Sequence, residues 1–292
     1  MIDELTDLVP ASWCEELINR CLEEDGVWHG DITSASIVDT RAFGSFEVNA
    51  RQAGVLSGMH VLLQGAHLFG DVNLHPKCND GDWVDGVIAT LDGNLGSILA
   101  AERTILNILS YASGVATQGA TFVEAIKGTG CEVCDTRKTT PGLRMLDKYA
   151  VGCGGGTLHR IGLHDAALYK DNHISAIPID ELGMRLGNAI AGAREDRNLS
   201  FVEVEVDTME QFAIALELDI DIILLDNMTI DMLQEAVDMK NSVSSGILLE
   251  ASGGITIETA RTIAKTGVDR IAVGGLVHRS HWLDIGLDAI DV

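Results

Sequence analysis

The second half of the chain alternates short apolar segments with amphipathic ones. The apolar segments that have the composition of β-strands are EVCDT, AALYK, VEVEV, DIILLD, ILLEAS and RIAVGG. Between the later strands lie segments with helical periodicity, such as TMEQFAIALEL and the segment that begins at Thr256. Strands that alternate with helices form a parallel sheet, usually with right-handed crossovers. This rhythm restricts the second half of the chain to an α/β architecture.

Polar residues and glycines end each of these apolar segments. They are Thr136, Arg137 and Lys138, then Lys170, Glu205, Asp226, Ser252 with Gly253 and Gly254, and finally Gly274 with Gly275. Functional groups at the carboxyl ends of successive parallel strands are typical of a β/α barrel. The roughly 165 residues available are fewer than the ~250 of a full eight-stranded barrel. We therefore predict an open, incomplete β/α (TIM-like) barrel.

Residues 1–112 have the pattern of a smaller α/β unit. An amphipathic helix is predicted over Ser12–Glu24, because its apolar residues fall on one face. The alternating segments SFEVNA and GVLSGMHVLL predict antiparallel strands, and Asp92-Gly93 predicts a turn. A long helix is predicted from Leu99 to Ile126, where the following glycines end it.

Composition excludes several classes of protein. A chain of 292 residues with 46% hydrophobic and 22% charged residues is globular. A formal charge of −24 argues against a nucleic-acid partner. The apolar segments are too short to span a membrane, and the acidic start, MIDELTDLVP, lacks the features of a secretory signal. We therefore expect a cytoplasmic protein.

The six cysteines predict free thiols in a reducing compartment. The only close pair is Cys131 and Cys134, which has no second pair to complete a zinc site and lies in a strand-like segment. We interpret these two residues and Cys153 as packing residues.

Residues 137–170 carry a net positive charge, in contrast to the strongly negative chain as a whole. Six of the 20 Lys and Arg residues fall in this segment, against two acidic residues. Arg137, Lys138, Arg160 and Lys170 are the candidate anion-binding residues, since guanidinium groups grip carboxylates and ammonium groups suit phosphate oxygens. The alternative is that these charges are simply solvated on the surface. A small, multiply charged anion is the ligand that this segment favours.

Two acids and two glycine pairs complete the candidate site. Glu205 and Asp226 can hold magnesium through water or accept hydrogen bonds from ribose hydroxyls, although a structural pairing with Lys170 is the competing interpretation. Gly253-Gly254 and Gly274-Gly275 let backbone N–H groups approach a phosphate. Tight turns that need positive φ would explain the same glycines. His159 is a ligand contact or a structural histidine.

The motifs together resemble those of the quinolinate phosphoribosyltransferases, the decarboxylating enzymes of NAD biosynthesis. The matching segments are GDIT at 30–33, Glu102-Arg103, DTRKTTPGLR at 135–144, KYAV at 148–151, GGG at 154–156, His159-Arg160, KDNH at 170–173, EVEV at 203–206, LDN at 225–227 and SGGI at 252–255. The resemblance covers nearly the full chain, and TRKTTPGLR with KDNH is its most specific part.

The resemblance implies an N-terminal α/β sandwich domain (1–112), an open barrel (113–275) and a C-terminal segment (276–292) that packs back on the first domain. It implies transfer of phosphoribosyl to quinolinate with decarboxylation, magnesium as cofactor, and a homodimer in which Arg103 completes the neighbouring site. Lys138, Lys170, Glu205 and Asp226 are then catalytic. The implied substrate-binding residues are these four with Arg103, Thr136, Arg137, His159, Arg160, Ser252, Gly253, Gly254, Gly274 and Gly275.

The chain departs from the family pattern at three positions. The family usually has Arg at Gly152, Asn at Leu158 and Ser at Ala272. Loss of that serine hydroxyl would weaken one phosphate contact, and Leu158 affects the placement of His159. Two other functions stay open: a barrel lyase or aldolase with a Schiff base on Lys170, and a non-catalytic relative associated with molybdate transport. Such non-catalytic relatives lack the full TRKTTPGLR and KDNH motifs.

Overall fold

The structure is a computed structural model that describes residues 5–196, 199–243 and 246–291. Contacts within the chain divide it into two compact units. The first comprises Met1–Ala120, Thr140–Gly155 and Arg279–Val292, and the second comprises Thr121–Thr139 and Gly156–His278. The domain limits expected from the sequence, 1–112, 113–275 and 276–292, remain a prediction.

The first unit contains an antiparallel sheet and several helices. The strands are β1 (Phe43–Val55), β2 (Val72–Pro76), β3 (Trp83–Asn94) and β10 (Ile285–Asp291), in the order β10-β1-β3-β2. The helices are α1 (Ala11–Glu24), α2 (Ile32–Ile37), α3 (Met59–Gln64), α4 (Leu95–Ala125, which ends in the second unit) and α5 (Arg144–Cys153), with 3-10 turns at Thr6–Leu8, Val27–His29 and Ala66–Phe69. Burial alternates along β1, where Phe46, Val48 and Ala50 face the core.

Two local predictions in this unit were wrong. The segment GVLSGMHVLL is the end of β1 followed by α3, because the Asp80 carboxylate accepts hydrogen bonds from the N–H groups of Met59 and His60 and caps the helix. Asp92-Gly93 lies inside β3 rather than in a turn. A Cβ at Gly93 would lie 2.2 Å from the carbonyl oxygen of Asp71. This glycine therefore permits the close approach of two backbone segments of the same chain.

The second unit is a six-stranded parallel sheet surrounded by helices. Its strands are β4 (Glu132–Cys134), β5 (Ala167–Tyr169), β6 (Val202–Val206), β7 (Ile222–Asp226), β8 (Leu248–Ser252) and β9 (Arg270–Ala272), in the order β4-β9-β8-β7-β6-β5. Its helices are α6 (Asp171–Ile174), α7 (Ile179–Ala193), α8 (Met209–Ala215), α9 (Ile230–Ser242), α10 (Ile257–Ala264) and α11 (Gly275–His278). In the described ranges β4 and β5 are not paired with each other, so the predicted open barrel is confirmed.

The strand sequences explain the parallel arrangement. All of β6 and the first four residues of β7 are buried, as expected for strands that are covered on both faces. Threonines cap the N-termini of α8, α9 and α10: Thr208 and Thr229 each accept a backbone N–H, and Thr256 forms a capping box with Thr259. These caps begin each helix a few residues after its strand. Among the described residues, no helix has both the length and the apolar character needed to cross a membrane.

Candidate active site

A cavity of about 370 Å³ lies within the second unit, where several strands end. This volume falls in the range of small-molecule sites, roughly 300–1,000 Å³. The lining side chains are those of Thr136, Arg137, Lys138, His159, Arg160, Leu168, Lys170, Glu205, Leu224, Asp226, Glu250, Ser252 and Ala272. Tertiary structure thus brings nine of the candidate residues into one cavity, although they are spread over more than a hundred positions of sequence.

Two guanidinium groups lie close together at this cavity. Burial lowers the pKa of the Arg160 side chain, and the neighbouring charge of Arg137 lowers it further. Arg160 Nη1 donates to the carbonyl oxygen of Ala166 at 3.2 Å. The buried Nε of Arg137 has no hydrogen-bond partner in the described part of the chain. Repulsion between two such groups is relieved by an anion, so the pair suits a ligand with carboxylates.

Glu205 and Asp226 contribute carboxylates to the cavity lining, and Asp207 lies near Glu205 without lining the cavity. Lys170 Nζ contacts Glu205 Oε2 at 2.8 Å. Burial raises the pKa of Asp226, and the nearby Glu205 raises it further, while the Asn227 side-chain amide donates to Asp226 Oδ2 at 2.7 Å. Burial, followed by repulsion from Asp171 and Glu205, also raises the pKa of Asp207. Crowded carboxylates of this kind favour a hard cation such as Mg²⁺.

The two glycine pairs differ in conformation. Gly253 and Gly254 have φ of +101° and +58°, which supports the interpretation that this turn needs positive φ. Gly274 has no such φ, but a Cβ there would lie 2.8 Å from Lys138 Cδ, so its absence makes room for the lysine. The four glycines do not line the cavity themselves. Gly253 and Gly254 directly follow the lining residue Ser252, and Gly274 and Gly275 follow the lining residue Ala272 after one intervening residue.

Arg103 belongs to the first unit and is the predicted site residue that lies outside the barrel unit. Its side chain is on α4, is 63% exposed and pairs with Glu102 at 2.6 Å.

The cysteines interpreted as packing residues are free thiols in the structure. Burial raises the pKa of both Cys131 and Cys153 to about 12, which disfavours the reactive thiolate.

Glu250 was not predicted from the sequence as a site residue, and Glu203 was given no role. Both are fully buried inside β-strands, and Glu250 lines the cavity. A charged residue within an otherwise apolar strand, as in LLEAS and VEVEV, was the available signal, because a buried carboxylate is retained at a cost in free energy.

The structure shows the surroundings of two of the three positions, Gly152 and Ala272, at which the chain departs from the family pattern. A Cβ at Gly152 would lie 2.6 Å from the side chain of Leu5, which fills the space beside this helix position. Ala272 is buried and lines the cavity, so its methyl group stands where a serine hydroxyl would be available to a ligand. Nothing in the structure explains Leu158.

Family models and curated relatives match nearly the whole chain. The model of the quinolinate phosphoribosyl transferase N-terminal domain matches residues 31–113, and that of the C-terminal domain matches residues 115–288. The nicotinate-nucleotide pyrophosphorylase [carboxylating] of Mycobacterium leprae is 39% identical over 278 residues, which are 94% of this chain and 96% of the relative. A protein from Nicotiana tabacum, named quinolinate phosphoribosyltransferase [decarboxylating] 2b, mitochondrial, is 33% identical, over 95% of this chain and 82% of its own.

Solved structures agree with the sequence relatives. The nicotinate-nucleotide pyrophosphorylase of Francisella tularensis aligns with a TM-score of 0.86 at 34% identity, over 96% of this chain and 97% of its own. That of Ehrlichia chaffeensis aligns with a TM-score of 0.84 at 37% identity, over 94% and 97%. Likeness at this level extends through both units and includes the segments that build the cavity. The chain is therefore a member of the quinolinate phosphoribosyltransferase family.

Proposed function

We propose that this protein joins quinolinate to phosphoribosyl pyrophosphate and releases pyrophosphate and carbon dioxide, giving nicotinate mononucleotide. The observation that carries the proposal is the cavity itself, in which cationic side chains and two strand-end carboxylates surround a single space. Quinolinate and phosphoribosyl pyrophosphate are both multiply charged anions, and the hydroxyl groups of the latter suit acidic residues. The names of the relatives support the same reaction.

The arginine pair is the proposed quinolinate site. Guanidinium groups bind carboxylates in a planar, bidentate manner, and quinolinate carries two carboxylates on one ring. Arg137 and Arg160 would hold the ring so that its nitrogen faces the ribose carbon. Thr136 contributes by orienting this loop, because its hydroxyl accepts the backbone N–H of Lys138 at 2.9 Å.

The remaining charged residues are the proposed phosphoribosyl pyrophosphate site. Lys138 and Lys170 provide positive charge for the phosphate oxygens, and Glu205 and Asp226 accept hydrogen bonds from the ribose hydroxyls. The turns after Ser252 and Ala272, with their glycines, provide backbone N–H groups for the 5′-phosphate. As pyrophosphate leaves, its negative charge increases, and the lysines stabilise it most at that point.

Magnesium is the proposed cofactor. Burial and the nearby charge of Glu205 both raise the pKa of Asp226, and carboxylate oxygens are the ligands that Mg²⁺ prefers. We propose that they hold the ion through water and substrate oxygens. A bound ion would supply positive charge to the pyrophosphate leaving group.

Decarboxylation then needs little from the protein. When the ring nitrogen has formed its bond to the ribose carbon, it carries a positive charge. That charge stabilises the carbanion that remains after the adjacent carboxylate leaves as carbon dioxide. The carbanion then takes up a proton that reaches the site from solvent, which gives nicotinate mononucleotide. The protein has to hold the ring, and no side chain has to act as a covalent nucleophile.

Carbon dioxide release tests the proposed function directly. Quinolinate labelled in the carboxylate next to nitrogen should release labelled carbon dioxide only when phosphoribosyl pyrophosphate and Mg²⁺ are both present. Chelation of the metal with EDTA should abolish release, and added Mg²⁺ should restore it. Release that needs no phosphoribosyl pyrophosphate would show that nitrogen is not alkylated first, and the proposed reaction would be wrong.

The alternative functions fit the site less well. A Schiff-base lyase needs a lysine with a free amine, whereas Lys170 forms an ion pair with Glu205 at 2.8 Å. Borohydride trapping of a substrate on Lys170 would favour the lyase. A non-catalytic relative would bind ligand without turnover, but the complete TRKTTPGLR and KDNH segments argue for the enzyme.

We also propose a homodimer with shared sites, in which Arg103 of one subunit completes the site of its partner. Arg103→Ala and Lys138→Ala should each be inactive alone. Random exchange between the two variants should restore about a quarter of wild-type activity, because half the dimers are mixed and each contains one intact site. The activity of refolded mixtures measures this, and mixtures as inactive as the parents would exclude a shared site. The cytoplasmic location remains a prediction.

A further inference from the structure

Three buried titratable side chains form a cluster inside the barrel. Glu203 and Glu250 are fully buried, and His159 is 7% exposed. His159 Nε2 lies 2.9 Å from Glu203 Oε2 and 3.5 Å from Glu250 Oε1. On β6 and β8, Glu203 and Glu250 each precede by two residues a side chain that lines the cavity, so they share its face of the sheet. This His159–Glu203–Glu250 cluster therefore borders the proposed substrate site.

The hydrogen bonds of His159 define its tautomer. The backbone N–H of Arg160 donates to His159 Nδ1 at 2.8 Å, so Nδ1 carries no hydrogen. The ring hydrogen is then on Nε2, which lies between the two carboxylates. Both ring nitrogens are directed at protein groups rather than at a ligand. His159 is thus placed to support its neighbour Arg160, and because it also lines the cavity, its contact with the substrate stays a prediction.

The two carboxylates also depend on each other. In the described structure none of their four oxygens has an aligned hydrogen bond, although the Nε2 contact to Glu203 is short. Burial raises the pKa of Glu250 well above its usual range, and repulsion from Glu203 raises it further. This upward shift favours the protonated form of Glu250, which would remove one of the two negative charges that are buried side by side.

A metal ion is the alternative occupant, since the three potential ligand atoms lie within 4.8 Å of one another. A histidine that binds a metal through Nε2 has its hydrogen on Nδ1 and normally donates it to an acceptor. His159 Nδ1 instead accepts a hydrogen bond from the Arg160 backbone. The geometry favours a hydrogen on Nε2.

We infer that Glu203 and Glu250 are positioning residues, which orient His159 and, through its Nδ1, the backbone that presents Arg160 to the substrate carboxylate. This inference rests on the proposed function for the identity of the substrate. His159 is fixed from its other side as well, because its backbone N–H donates to Asp135 Oδ1 at 2.7 Å. Arg160 is in turn attracted by the Glu203 carboxylate.

The tautomer can be measured without any assay of activity. In ¹⁵N NMR spectra of histidine-labelled protein, the His159 signals, assigned by comparison with His159→Asn, should show a hydrogen on Nε2 and none on Nδ1. A hydrogen on Nδ1 would overturn the inference. So would one equivalent of Zn²⁺ or Mn²⁺ that is retained after dialysis by the wild type and lost in Glu203→Gln. Because these readouts do not involve turnover, they stand whether or not carbon dioxide release supports the proposed function.

Kinetics of paired variants test the link to Arg160. Glu203→Leu should raise KM for quinolinate about tenfold or more, with KM for phosphoribosyl pyrophosphate changed less than about threefold. Glu203→Gln, which keeps an acceptor oxygen, should recover most of the loss. Glu250→Leu and Glu250→Gln should behave as a second such pair, since glutamine resembles a protonated carboxyl group. The exposed Glu235 on α9 provides the control Glu235→Leu, which should leave both KM values unchanged.

Equal effects on both KM values, or no recovery in the glutamine variants, would show that the two acids only maintain the fold. If the leucine variants do not fold, the glutamine variants and the NMR measurement decide: a Glu203→Gln protein whose His159 keeps its Nε2 hydrogen supports the inference, and one whose ring hydrogen moves to Nδ1 overturns it.

Discussion

Lys138→Ala should lower kcat/KM by about 10²–10³-fold, because in the proposed reaction it removes a preorganised positive charge that stabilises the leaving pyrophosphate. Lys138 is exposed and lines the cavity, and Gly274 lies against its side chain. Truncation of an exposed side chain removes little buried surface, so the unfolding temperature should stay within about 1 °C of the wild type. Steady-state kinetics with both substrates and thermal melting measure the two effects.

Lys265→Ala is the matched control for this prediction. Lys265 is an exposed lysine of the same unit, just after α10, and it does not line the cavity. Its replacement removes the same charge from the protein and should leave the rate unchanged. If Lys138→Ala retained a rate within about threefold of the wild type, Lys138 would not stabilise the leaving group.

Gly253→Ala should damage both stability and phosphate binding. At Gly253 φ is +101°, and a Cβ would lie 2.2 Å from Asn227 Oδ1 and 2.9 Å from the Asn227 backbone nitrogen. The backbone conformation alone costs about 1–3 kcal/mol for alanine. Asn227 must also move, although its amide donates to Asp226. We expect a rise in KM for phosphoribosyl pyrophosphate of roughly 10²-fold, as for other small displacements at a site, and a lower unfolding temperature.

Gly192→Ala is the control for the glycine substitution. Gly192 is exposed in α7, and a Cβ there meets nothing within 4 Å. Alanine is the better helix former, so this change should raise stability by up to about 1 kcal/mol without affecting KM. A Gly253→Ala protein with wild-type KM and melting temperature would show that this turn neither needs its glycine nor binds the phosphate.

The barrel strands were predictable because their signals are local. All six apolar segments assigned as strands are β4 to β9, and the two helices predicted over Ser12–Glu24 and Leu99–Ile126 are α1 and α4 with small changes at their ends. The errors in the first unit had nonlocal causes. Asp80 caps α3 from more than fifteen positions further along the chain. The backbone of Asp71, just before β2, lies against Gly93 in the neighbouring strand β3. No periodicity within a short segment reports such contacts.

The candidate site followed the same division. Polar residues at the ends of apolar segments identified seven of the thirteen residues that line the cavity, because the carboxyl ends of parallel strands lie at one edge of a sheet. The roles of Glu203, Glu250 and His159 could not be assigned in this way. Which side chain faces which depends on strands that are neighbours only in space.

The order of the apolar and polar residues along the chain was sufficient for the open barrel, its strand-end chemistry and the family motifs. Tertiary structure alone decided that Arg137 lies beside Arg160, that Asp226 lies near Glu205, and that two buried acids flank His159. The physical reason is that periodicity determines which face of an element is buried, whereas the charge environment of a side chain depends on distances between elements that are far apart in sequence.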